Sequence, residues 1–253
     1  MKNIFLIANK ELKTYIASPM AYIVSASFLA VTGFFFVASV SDAFAEASIR
    51  GFLAGAVFFL IFLSPAITMR LLSEEQKLGT LELLLTSPLK ETEIVIGKFL
   101  AAFSIILLMF SLTIYYTIIL LIYGVPDIGP IFTGYLGLIL YAAATLSVGL
   151  FASALGPNQL VSLVVGSGIL TTLTFIDFIA DRLTSNIAKI LNQLQLGGSF
   201  SVFDQQSFGI SEGGHFADFA RGIISIGDIT YYFSITLIFL MLTILILESR
   251  RWR

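Results

Sequence analysis

The groups able to do chemistry are few in this chain, and they crowd into one stretch. Nine of its 30 Asp, Glu, Lys and Arg residues fall within 70–98, RLLSEEQKLGTLELLLTSPLKETEIVIGK, while 51–69 before it and 99–126 after it hold none. The chain has no cysteine and one histidine, His215. Disulfides, thiolate metal sites and cysteine nucleophiles are excluded, and a lone histidine cannot build a metal site. His215 is expected to serve as a structural hydrogen-bonding residue. Gly97-Lys98 is followed by Phe99, so no G-x-x-x-x-G-K-[ST] phosphate loop is present. What remains to 70–98 is recognition: a polar segment gripped from the water side.

The elements that must position this segment are apolar. Mean hydropathy is +0.96, with 57% hydrophobic and 12% charged residues. Six runs, 20–41, 51–69, 99–123, 131–155, 159–178 and 229–247, approach or exceed the roughly 20 residues that cross a bilayer. Backbone in lipid must satisfy its own hydrogen bonds, so the runs read as helices. The breaker Gly156-Pro157-Asn158-Gln159 separates the fourth from the fifth. With both termini cytoplasmic, ten Lys and Arg lie inside and four outside, which sets that orientation. It puts 70–98 in the cytoplasm and 181–228 outside.

Within 1–18, Ile4, Phe5, Ala8, Leu12, Tyr15 and Ile16 share an arc opposite Asn9, Lys10, Lys13 and Thr14, with Leu6 and Glu11 breaking the pattern. This reads as a helix lying in the membrane interface against lipid headgroups, and Lys10, Glu11 and Lys13 rule out a secretory signal. Small residues recur at packing spacing: Gly51 and Gly55, then Ala142, Ala144, Gly149 and Ser153, then Ser162 and Gly166. They are expected to pack helices inside the chain. No ionisable residue sits mid-span, which disfavours an ion-coupled carrier. No polar catalytic cluster is visible, and the net charge of −2 gives no reason to expect nucleic acid as a partner.

Helix punctuation shapes 70–98. Ser73 is placed to cap a turn, with Glu74 and Glu75 in its first positions and Gln76 set for a capping box. Gly79 weakens that helix. Thr80 is placed to cap a second, over 81–85, with Glu82 in its first turn. Ser87-Pro88 then ends it and starts a third, which runs through Glu91, Glu93 and Lys98 into the membrane. In the outer loop, Leu183, Ile187, Ile190, Leu191 and Leu194 fall at helical spacing, Gly197-Gly198 ends that helix, and 216–224 forms another short one.

SEEQKLGTLELLLTSPLKETEIVIGK resembles the signature loop of ABC-2-type transporter permeases. SVGLFASALGPNQ and HFADFARGIISIGDITYYFS are similar to further parts of that family, so the likeness spans the chain. It is strongest to the gliding-motility-associated and nitrous-oxide-reductase-maturation-type permeases. The resemblance implies one all-α integral membrane domain over 1–253, with six transmembrane helices, an N-terminal interfacial helix and a cytoplasmic coupling helix. That helix docks on a separate ABC ATP-binding subunit, which carries the ATP and Mg2+, so this chain itself binds no cofactor and is no enzyme. The matching positions are Glu74, Glu75, Gly79, Thr80, Leu81 and Glu82. In the outer loop they are His215, Arg221, Gly222 and Asp228, in a region that caps the pathway. The resemblance further implies an exporter in a bacterial-type cytoplasmic membrane, dimeric with itself or a related permease. A mechanotransmission or machine-assembly subunit, using the same ATPase without moving substrate, is the alternative.

Overall fold

The computed structural model describes residues 2–41, 47–85, 89–176, 191, 193–197 and 214–251. Their regular structure is helical: α1 (Lys2–Ala17), α2 (Pro19–Val40), α3 (Arg50–Lys77), α4 (Thr80–Leu85), α5 (Glu91–Tyr123), α6 (Ile128–Leu155), α7 (Gln159–Thr174), α8 (Ala217–Arg221) and α9 (Ile226–Arg251). Side chains mark several boundaries. Ser18 Oγ accepts from Met20 N–H ahead of α2, whose first residue is Pro19. Asp127 Oδ1 accepts from Gly129 N–H, and Asn158 Oδ1 from Val161 N–H, so the predicted breaker after α6 supplies the cap of α7.

Five helices, α2, α3, α5, α6 and α9, are long and apolar enough to cross a membrane. The six expected spans are thus five plus the shorter α7. That helix ends at Thr174 with Phe175 as its cap, short of the expected residue 178. Its 16 residues reach about 24 Å, less than the roughly 30 Å hydrocarbon core. α3, α5 and α9 overrun their uncharged stretches, because a helix continues wherever packing supports it, whatever its charge.

The core is the α3–α6 pair. In their most apolar stretches 78% and 72% of residues are buried, against 17% in α2 and 11% in α9. Small residues set that approach, as expected. A Cβ on Gly149 would overlap Thr68 Oγ1 and come within 3.3 Å of Pro65 Cα. Pro65 also faces Gly166 of α7, where a Cβ would lie 3.1 Å from its ring. Gly51 and Gly55 meet Ser39 and Phe35 of α2 with no room for a methyl group. Hydroxyls join the two core helices: Ser64 and Thr145 are 2.8 Å apart, and Ser153 Oγ accepts from Leu72 and Ser73 N–H, both at 3.1 Å, while bonding Met69 O.

That last contact corrects the expected punctuation. Ser73 caps nothing. It lies buried inside α3, its hydroxyl donating back to Met69 O, and α3 runs unbroken to Lys77. Gln76 makes no capping box; its Nε2 donates to Ala154 O at the end of α6. Thr80 lies within α4 and donates to Glu75 O. α5 begins at Glu91 with Lys90 as its cap, and Ser87-Pro88 lies outside the described residues. The expected outer helix around 183–194 falls mostly outside them too, with Leu191 and Gln193 helical and Leu194 in a turn.

Candidate functional site

The polar segment forms an exposed tip at the end of α3. α3 carries the chain out of the bundle, and Gly79, at φ 69°, reverses it into α4. Leu78 N–H reaches Glu74 O and Gly79 N–H reaches Gln76 O, which closes the last carbonyls of α3. Lys77, Leu78, Gly79, Thr80 and Glu82 are exposed there, Leu78 at 67%. Leu81 points the other way, 4% exposed, and seats the reversal on the bundle. Of the sequence-matched residues, Gly79, Thr80 and Glu82 therefore present themselves outward. Glu74 and Glu75 are half-buried, and Leu81 positions the turn from within.

Glu75 has a defined partner. Its Oε1 lies 2.8 Å from Lys98 Nζ, and Glu11 Oε1 lies 2.9 Å from the same nitrogen. Lys98 is 1% exposed. Burying a charge is costly unless it is paired and hydrogen-bonded, and Lys98 meets that requirement with one carboxylate from α1 and one from α3. Glu75 Oε2 is buried without a partner among the described residues. The cluster lies along a cleft of about 290 Å3, lined by α1, Leu84, Leu89 and Lys98 itself.

α1 is consequently held to the bundle by more than an apolar arc. Its inward face is Asn3, Ile4, Ile7, Ala8, Glu11, Leu12 and Tyr15, while Phe5, Leu6 and Ile16 are exposed. Glu11, which breaks the sequence pattern, thus lies on the packed side, and Phe5 and Ile16 lie off it. The helix comes so close to α5 that a Cβ on Gly97 would lie 3.1 Å from Ile4 O. Asn3 Nδ2 donates to both Glu93 oxygens, at 3.3 and 3.2 Å. Tyr15 Oη donates to Ile67 O of α3, and Arg70 to Ser18 Oγ at 3.4 Å. Burial pushes the Tyr15 phenol well above its ordinary value, so it stays a donor. Arg250 of α9 donates to Ala154 O beside Gln76, so α3, α6 and α9 meet at this same end.

Sequence reasoning missed Lys98, Glu11, Gln76, Ser153 and Arg250. One signal was available for the first two. Lys98 opens a long uncharged run and Glu11 interrupts an amphipathic wheel, so each is a charge out of place and in need of a partner.

At the opposite end of the bundle, His215, Gly222 and Asp228 of the second sequence-matched group do come together in part. His215 Nδ1 lies 2.6 Å from Asp228 Oδ1, and its Nε2 lies 3.1 Å from Gln193 O. A carbonyl only accepts, so Nε2 carries a hydrogen, and Nδ1 and the carboxylate share another. The ring stacks on Tyr231 at 3.8 Å. Tyr231 and Tyr232 donate to Leu194 O and Leu196 O. Gly222, at φ 93°, ends α8, whose Phe219 is buried against Gly137 and accepts from Thr133 Oγ1 at 2.7 Å. Arg221 stands exposed beside it. Among the described residues no three His, Cys, Asp or Glu gather as a metal would need.

Comparison with curated proteins returns no match. A family model described as ABC-2 type transporter matches residues 2–177, which takes in α1 to α7 with the α3–α4 tip and the Lys98 cluster. This multi-pass membrane chain, whose core helices carry an exposed polar reversal at one end, therefore belongs to the ABC-2 type transporter family as a permease component.

Proposed function

We propose that the chain is the permease subunit of an ATP-driven exporter, worked by a separate ATP-binding subunit that holds ATP and Mg2+ and docks on the α3–α4 tip. The observation that carries this is the tip itself. Lys77, Leu78, Gly79, Thr80 and Glu82 stand exposed at the end of the helix most deeply packed in the bundle. A push there is applied to α3, and through Ser64, Thr145 and Ser153 to α6. Two such permeases, identical or related, would sit side by side in the cytoplasmic membrane with their termini and tips facing the cytoplasm. The outer closure by α8 and α9 would then cap the exit side of the pathway.

The test is copurification of the ATP-binding subunit with the chain, followed by its ATPase rate in lipid. Glu82→Lys reverses an exposed tip charge without touching the core. It should lower both capture and permease-stimulated ATPase by about tenfold, within the range of a single interfacial charge change. Normal capture and stimulation in that variant would remove the tip from the docking role.

A further inference from the structure

The Lys98 cluster joins three elements that the reading above treats separately. We infer that Lys98 is a positioning residue that makes α1 part of the lever: its ammonium clamps Glu11 and Glu75, so that α1, the tip-bearing end of α3 and the start of α5 move as one body. This inference rests on the proposed docking at the tip.

Four observations converge on it. The ammonium is almost wholly buried and lies within 2.9 Å of carboxylates from two different helices. Glu75 is less than one helical turn from the exposed Lys77 and Leu78, so the clamp grips α3 close to where a partner would push. Gly97, next to Lys98, lets α1 approach until Ile4 and Ile7 meet the α5 backbone. Beyond the clamp, α1 is tied to α3 again by Tyr15 to Ile67 O and Arg70 to Ser18 Oγ, and to α5 by Asn3 to Glu93. A helix that only floated in the membrane interface would need none of these polar links. Coulomb attraction also falls slowly with distance, so a charge clamp keeps three helices together through displacements that would part a neutral hydrogen bond.

The chain has no native cysteine, so spin labels can be placed at will. Exposed Lys13 of α1 and exposed Phe62 of α3 are replaced by cysteine and labelled, and the distance between them is measured in nanodiscs. Measurements are made on the chain alone and on its complex with the copurified ATP-binding subunit, without nucleotide and with ATP trapped. The expected result is one narrow distance, unchanged by nucleotide. Glu11→Gln removes the α1 arm and leaves the Lys98–Glu75 pair in place. It should broaden that distance and lower permease-stimulated ATPase by about fivefold or more, the lower range for coupled sites, while capture of the ATP-binding subunit stays normal. Lys98→Arg should restore the narrow distance where Lys98→Met does not. A Lys13–Phe62 distance that changes with nucleotide in the parent chain would overturn the inference. So would a Glu11→Gln variant with parental distance and stimulation. If the parent chain captures no ATP-binding subunit, the docking reading fails by itself, and the distances in the chain alone still decide whether the clamp exists.

Discussion

At the tip end, α1, α3 and α5 meet on full charges, with Lys98 between Glu11 and Glu75. At the opposite end, one small pair, His215–Asp228, stands among rings and single hydrogen bonds as α8 and the segment around 193–197 meet α6 and α9: Phe219 under Gly137, His215 on Tyr231, and tyrosine hydroxyls on Leu194 and Leu196 carbonyls. Charge attraction tolerates a shift of an ångström. Ring contacts and hydroxyl-to-carbonyl bonds lose much of their strength over the same distance. The first end is suited to travel as a unit, and the second to open by parting a few local contacts. The α3–α6 core between them, close-packed through Gly149 and Ser153, links the two ends.

The largest way to break this contrast is Lys98→Met. Removing one partner of a buried ion pair costs about 3–5 kcal/mol, and the lower figure applies because Glu11 and Glu75 keep some contact with water. Thermal unfolding in detergent should show a clear fall in midpoint, mostly recovered by Lys98→Arg. An unchanged midpoint would mean that apolar packing alone holds the tip end and that the contrast between the ends is false.

Next in size is the His215–Asp228 pair. Asp228→Leu leaves His215 Nδ1 facing an apolar group and should cost about 1–3 kcal/mol, the usual penalty for an abandoned buried polar group. Asp228→Asn should cost much less. Its amide donates to Nδ1 of a neutral ring whose Nε2 still serves Gln193 O. Amide exchange over 214–222 reads the difference, and it should rise for the leucine variant while 2–17 stays protected. Loosening of both segments together would show that the two ends are not independent.

Gly79→Ala is smaller again. Nothing lies within 4 Å of a Cβ there, so the change adds no clash, only the cost of φ 69° for a residue with a Cβ, about 1 kcal/mol. Exchange should quicken over 78–85 alone, with the global midpoint held.

These positions also mark what the sequence could and could not reveal. Gly79, Glu82 and the short α4 were legible because they follow local rules: a left-handed glycine ends a helix, and an acidic residue favours a first turn. The span count was nearly legible for the same reason, since hydropathy is a sum over neighbours. Ser73 misled because its local signal is that of a cap, while Ser153, 80 residues away, supplies a hydroxyl that holds α3 intact at that point. Glu11 was legible only as a charge interrupting the apolar arc, without the residue that answers it. Its partner is 87 residues distant, and one sequence carries no record of that pairing.

The smallest effect lies at the start of α1 and asks how far the charged end extends. Asn3 donates to both Glu93 oxygens and Lys90 N–H to one of them, and these bonds, Asn3's foremost, hold the Glu93 carboxyl below its ordinary range. With the folded value the lower one, the contribution is complete above the ordinary glutamate value near pH 4.3 and fades as pH falls through the folded value. Glu93 is half-buried at the edge of the structure and keeps contact with water, so the consequence is local. A spin label on Leu6→Cys, at an exposed site, should show constant mobility from about pH 8 to pH 5 and a rise only below about pH 4. Asn3→Ala should raise mobility already at neutral pH and flatten the acid rise. The two chains differ only at the partner of Glu93, so the difference between the two curves belongs to Glu93. Identical curves would confine the charge-held end of α1 to Glu11 and beyond, leaving its first turn to rest on Ile4, Ile7 and the close approach of Gly97.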